Sequence, residues 1–137
     1  MTWSEVNGSL WTLPAERNKT KQVLERPLSG AALAAMAKAP RIHNSSYVFT
    51  STGGMFNAAH RKPAFDKATR TTDWTFHDLR RTARSLMSRA GVPNEHAERC
   101  LGHLQPGIQQ TYDRHKYISE MAVAYEKLAA LITKVFS

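Results

Sequence analysis

Apolar residues recur at intervals of three and four through residues 73–90: Phe76, Leu79, Ala83, Leu86, Met87 and Ala90. That spacing sets them on one stripe of an α-helix, and Gly91 ends it because glycine accepts the left-handed backbone of a helix terminus. Pro93 suits the first turn of a following helix, which runs to Leu101. After the turn Gln105-Pro106-Gly107, a short helix is predicted to carry Tyr112, and a last one to cover residues 119–135. The last carries its own stripe: Ile118, Met121, Ala122, Tyr125, Leu128, Ala129, Ile132 and Val135. Such a stripe must be buried, either within this chain or against a second copy.

The N-terminal third has a different period. Short β-prone runs flank Asn7-Gly8, a pair that favours a two-residue hairpin turn. A third strand is predicted over residues 22–27, after a polar, basic turn over residues 14–21. Ser29 can cap a helix over residues 30–38 that Pro40 stops. The apolar run Tyr47-Val48-Phe49 precedes a loop, Thr50-Ser51-Thr52-Gly53-Gly54, and residues 56–69 read as a helix interrupted near Pro63. The fold class is therefore mostly α with a small N-terminal three-stranded antiparallel sheet, α+β, without βαβ alternation. Neither glycine-rich phosphate motif is present, which removes Rossmann and P-loop readings.

Length and charge sharpen this picture. A chain of 137 residues fits one domain with a sizeable core. The formal charge of +8 is uneven: residues 14–89 hold fourteen Lys and Arg against five Asp and Glu, whereas residues 90–137 hold five of each. A concentrated basic region points to a polyanion partner. No apolar run approaches the length of a membrane span, and the single Cys100 suits a reducing compartment, so a cytoplasmic protein without membrane contact is expected. His77, His96 and His103 lack a compact zinc spacing, and no metal or other cofactor is expected.

Three motifs then appear in order: Thr75-Phe76-His77-Asp78-Leu79-Arg80-Arg81-Thr82, Leu101-Gly102-His103, and Thr111-Tyr112-Asp113-Arg114-His115. Each is common alone; their order and spacing resemble the active site of the tyrosine recombinases, the phage-integrase family, and in particular its prophage integrases. The resemblance implies site-specific DNA recombination and integration, by strand cleavage and rejoining through a 3′-phosphotyrosyl intermediate. It implies Tyr112 as nucleophile, with Tyr117 as the alternative, and duplex DNA as the partner. Arg80 would hold the scissile phosphate through its planar fork, His77 would help to accept the tyrosine proton, and His103 would donate to the phosphate. The family places a lysine between the second and third strands, which makes Lys19 the candidate general acid and Lys21 its alternative. Arg17, Lys21, Arg81 and Arg84 are candidates for contact with the DNA backbone, as is Arg89.

The sequence departs from the family at one place: it has no Arg or Lys before Arg17, where a first catalytic arginine would stand on a helix preceding the sheet. The resemblance therefore implies that residues 1–137 form a single catalytic domain fragment, without that helix and without the DNA-clamping N-terminal domains, from a truncated gene or an excised piece. Such a fragment is expected to bind DNA but to be poorly active or inactive in isolation. The competing functions are a catalytically inactive DNA-binding remnant of an integrase and a basic helical protein with accidental motifs. The family commonly docks the segment after the tyrosine on a neighbouring protomer, so a homo-oligomer through the C-terminal helix is the further expectation.

Overall fold

The computed structural model describes residues 1–103 and 115–136. A short 3-10 turn, Trp3–Glu5, opens the chain and leads into a three-stranded antiparallel sheet in sequence order: β1 (Val6–Asn7), β2 (Leu10–Leu13) and β3 (Leu24–Pro27). Asn7 pairs with Leu10, so the hairpin loop is Gly8-Ser9, one residue beyond the pair that the sequence suggested. Only Gly8 takes a positive φ there, +57°, as a loop led by glycine requires. The third strand begins at Leu24 because Asn18 Nδ2 donates to the Gln22 carbonyl at 2.7 Å and keeps that residue in the loop.

Glu5 ties this entry together. Its carboxylate accepts from the Thr2 backbone N–H at 2.9 Å and from Trp11 Nε1 at 3.1 Å, and pairs with Arg17 from the β2–β3 loop. Burial pushes its pKa up, but the Thr2 N–H, the Trp11 indole and the Arg17 charge together hold it below the ordinary carboxylate range. The first residues are pinned from outside too, since Trp3 N–H donates to the Ser46 carbonyl at 2.9 Å and Val48 N–H to that of Met1 at 3.3 Å.

Five helices follow among the described residues: α1 (Gly30–Ala37), α2 (Ala58–Thr69), α3 (Phe76–Arg89), α4 (Asn94–Leu101) and α5 (Ile118–Phe136). Ser29 caps α1 as expected, its hydroxyl accepting from the Ala32 N–H at 3.3 Å. Helix α2 continues through Pro63 where an interruption was predicted. Proline there removes one backbone donor, but the Asn57 cap before it and the Lys62–Asp66 pair at 2.5 Å across the next turn hold the helix on both sides.

The core lies where α3, α4 and α5 meet: Met87, Val92, Ala97, Cys100, Met121, Ala124 and Leu128 are buried together, with Ala83, Leu86, Ile118 and Tyr125 against them. Helix α5 also packs on β3 and α1, so its apolar face is covered within the chain. The predicted stripe is covered from Ile118 to Ala129, with Ala124 added to it, and opens at its end, where Ile132 and Val135 are 38% and 50% exposed. The stripe of α3 divides as well. Its second half enters the core, while Phe76 and Leu79 join Phe56, Phe65 and Trp74 around an open apolar groove of about 730 Å³.

Met87 is 1% exposed and central, and emptying such a site costs its transfer energy plus that of the cavity. Met87→Ala should lower unfolding free energy by about 2–5 kcal/mol. Val123→Ala, at a position 57% exposed, should change it by about 0.5 kcal/mol or less. Urea unfolding of both variants checks the contrast, and equal losses would remove Met87 from the core.

Candidate active site

Helix α3 begins with a capping box that fixes where His77 and Arg80 point. Thr75 donates to Asp78 Oδ2 from its backbone N–H at 2.9 Å and from its hydroxyl at 2.8 Å, and the Asp78 N–H returns to the Thr75 carbonyl at 3.0 Å. Those two Thr75 bonds, the backbone one first, hold the Asp78 carboxyl below its usual range. With the start set, His77 and Arg80 lie three residues apart and share a face of the helix. His77 is exposed; Arg80 is half-buried and its Nη2 donates to the carbonyl of Leu101.

That bond joins two motifs separated by twenty residues of chain. Leu101 is the last residue of α4, and a helix end leaves four carbonyls without intrahelical partners. Here all four are satisfied. Gly102, at φ +71°, turns the chain so that its N–H reaches Arg99 O at 2.9 Å and the His103 N–H reaches Glu98 O at 3.0 Å. The Tyr125 hydroxyl donates to Cys100 O at 2.8 Å, and Arg80 takes Leu101 O. Burial above all pushes the Tyr125 phenol up, and burial likewise raises the Cys100 thiol, so both stay neutral and serve the core.

His103 is exposed, yet its ring is held: Nδ1 lies 2.5 Å from Glu98 Oε2. Glu98 Oε1 accepts from Arg84 Nε at 2.7 Å, and Arg84 further bonds Ser88 Oγ at 2.5 Å and the Asn94 side chain. One carboxylate thus braces α3 against α4 and aims the histidine. Sequence reading missed Glu98, although its offset of five residues before His103 was the available signal. Arg84, expected on the DNA backbone, directs its guanidinium within the protein. Arg81 stays exposed, with Asp78 at 3.4 Å.

The other candidates sit on the loop side of the sheet. Lys19 and Lys21 are exposed in the β2–β3 loop, and neither forms a hydrogen bond or ion pair with Arg80, His77 or His103. Arg17, in the same loop, is engaged by Glu5. Tyr112 and the turn and helix predicted around it lie outside the described residues. Tyr117, the alternative nucleophile, packs at the head of α5 with the Arg99 guanidinium 3.5 Å above its ring and His115 edge-on at 4.5 Å. Among the described residues no cluster of His, Cys, Asp and Glu could hold a metal ion, and no helix is long and apolar enough to cross a membrane.

The Glu98 carboxyl is held below its ordinary value of 4.5 by its bonds to His103 first and to Arg84 next. A depressed folded-state value means that the bridge stabilises the protein above that ordinary value and is lost as pH falls through the folded one. Denaturant midpoints followed downward from pH 6 should decline less steeply in Glu98→Gln than in the unaltered chain. Parallel curves would show that the bridge contributes nothing to acid stability.

The geometry has a counterpart in family comparison. The model of the phage integrase family matches residues 1–118, from the sheet through α1–α4 and the segment after Leu101-Gly102-His103 to the first residue of α5. No curated protein and no solved structure gives a significant match. The match spans most of the chain, including the helix end where Arg80 meets the Leu-Gly-His turn, and the chain belongs to the phage integrase family, the tyrosine recombinases that carry out site-specific DNA recombination.

Proposed function

We propose that the chain breaks and rejoins one strand of duplex DNA through a 3′-phosphotyrosyl intermediate on Tyr112, as part of site-specific integration. The observation that carries this reading is the bond from Arg80 to Leu101 O, which brings the His-x-x-Arg and Leu-Gly-His motifs to one helix end. Arg80 has no carboxylate partner among the described residues, so its charge is left for an anion.

In this mechanism the Tyr112 oxygen attacks phosphorus, the bond to the 5′ oxygen breaks, and the phenolic proton passes to His77. Lys19, or Lys21 beside it, protonates the departing 5′ oxygen. Rejoining reverses each transfer, and the covalent link conserves the energy of the phosphodiester so that no nucleotide or metal is called on. Arg80 neutralises charge on the nonbridging oxygens with two parallel donors. His103 completes the cradle: in its imidazolium form both ring nitrogens donate, Nδ1 to Glu98 and Nε2 to the phosphate. Of the cations expected on the DNA backbone, Arg81 and Lys21 are exposed and available for phosphate contact, whereas Arg17 and Arg84 are engaged by Glu5 and Glu98.

The test is a nicked suicide duplex, which traps the covalent adduct as a band of lower mobility. Residues 1–137 alone should form this adduct only poorly, and what forms should vanish in Tyr112→Phe and appear about 10²–10³ times more slowly still in Arg80→Ala, the range for losing one donor to a developing oxyanion. An adduct that survives Tyr112→Phe and disappears in Tyr117→Phe would move the nucleophile. DNA binding with no adduct under any condition would leave a DNA-binding module without catalysis.

A further inference from the structure

Arg26 was not among the residues that the motifs singled out. It lies on β3, half-buried, and its side chain crosses to the end of α4: a Cβ added at Gly102 would stand 2.8 Å from Arg26 Nη2. Gly102 is favoured by its φ of +71°, and the guanidinium lies in the space that a Cβ there would enter. Arg26 Nη1 donates to the backbone carbonyl of Glu25 at 2.8 Å, while the Glu25 carboxylate is turned to Lys116 Nζ at 2.6 Å. Among the described residues no carboxylate forms an ion pair with Arg26, and none does with Arg80.

Two guanidinium groups therefore approach consecutive residues of one turn, Arg80 at Leu101 and Arg26 at Gly102, with His103 next in the chain. Both are near enough to bear on the Tyr125 hydroxyl electrostatically. Like charges gathered at a half-buried site repel, and the negative end of α4 offsets only part of this, since a helix terminus carries about half a unit charge. An anion bound between them removes the imbalance, and arginine forks match phosphate oxygens.

We propose that Arg26 is a second cationic arm of the phosphate pocket, binding the scissile phosphodiester together with Arg80 across the Leu101–Gly102–His103 turn. The proposal rests on the reading of the pocket given above and adds to it a residue on the sheet.

The experiment is fluorescence anisotropy of a labelled duplex across a salt series, for the chain itself, Arg26→Gln, Arg26→Lys and Arg80→Gln, with circular dichroism melts as fold controls. Each phosphate contact contributes about 0.9 to the slope of log affinity against log salt. Arg26→Gln should lower that slope by about one and Arg26→Lys should keep it. A purely structural cation at the helix end would change the melting temperature and leave the slope alone. Arg26→Gln with the slope of the unaltered chain, alongside a reduced slope in Arg80→Gln, overturns the proposal while leaving the pocket standing. Loss of salt dependence in no variant, or no DNA binding by the unaltered chain, overturns both. Should Arg26→Gln fail to fold, phenylglyoxal labelling of the unaltered chain decides instead: duplex should protect Arg26 together with Arg80, and Arg26 labelled equally with and without DNA refutes its role.

Discussion

The four terminal carbonyls of α4 are the constraint on which the site depends. A helix that ends inside a packed cluster must give each of those oxygens a donor, because a buried acceptor left unmatched costs about as much as a lost hydrogen bond. Two donors come from the chain itself, through the left-handed turn at Gly102. The other two are imported, the Tyr125 hydroxyl from α5 and the Arg80 guanidinium from α3. One accounting requirement thus gathers three helices around a single point, and leaves a guanidinium and a histidine facing outward beside it.

This arrangement explains why the cations divide into two kinds. Arg17 and Arg84 find carboxylates, Glu5 and Glu98, and work as braces between elements. Arg80 and Arg26 find backbone carbonyls, which satisfy donors but do not neutralise a full charge. A guanidinium has five donors in a fixed fork, so one bond to a carbonyl orients it and leaves the others free. A site that must hold an anion tightly benefits from cations of the second kind, since no internal carboxylate has to be displaced before binding.

Much of the fold was legible because local chemistry and periodicity agreed. Ser29 and Gly91 punctuate helices where their backbone preferences require it, whereas Pro93 precedes α4 as its cap and the Thr75–Asp78 box starts α3 at Phe76, inside the predicted span. The errors share a cause, competition from contacts that a local pattern does not contain. Pro63 does not break α2 because Asn57 and the Lys62–Asp66 pair hold the flanking turns, and Gln22 stays out of β3 because Asn18 takes its carbonyl. The stripe of α5 holds along Ile118 to Ala129, where α3, α4, β3 and α1 pack on the helix, and is exposed at Ile132 and Val135. Motif spacing named His77, Arg80 and His103, of which Arg80 and His103 come together at the end of α4. It did not point to Glu98 or Arg26, whose approach to the end of α4 depends on tertiary packing.

Glu98 shows why stability and chemistry are hard to separate here. Its carboxylate orients His103 and closes Arg84 against α4, and its backbone carbonyl separately accepts from the His103 N–H. A change at Glu98 would free the His103 ring to rotate and would also strand a half-buried arginine. Catalytic geometry needs reacting groups held to fractions of an ångström, and such precision comes from side chains whose own positions are fixed by packing. The same bonds that end α4 and join it to α3 therefore also fix Arg80 and His103, so the proposed pocket takes its rigidity from the way one short helix is terminated.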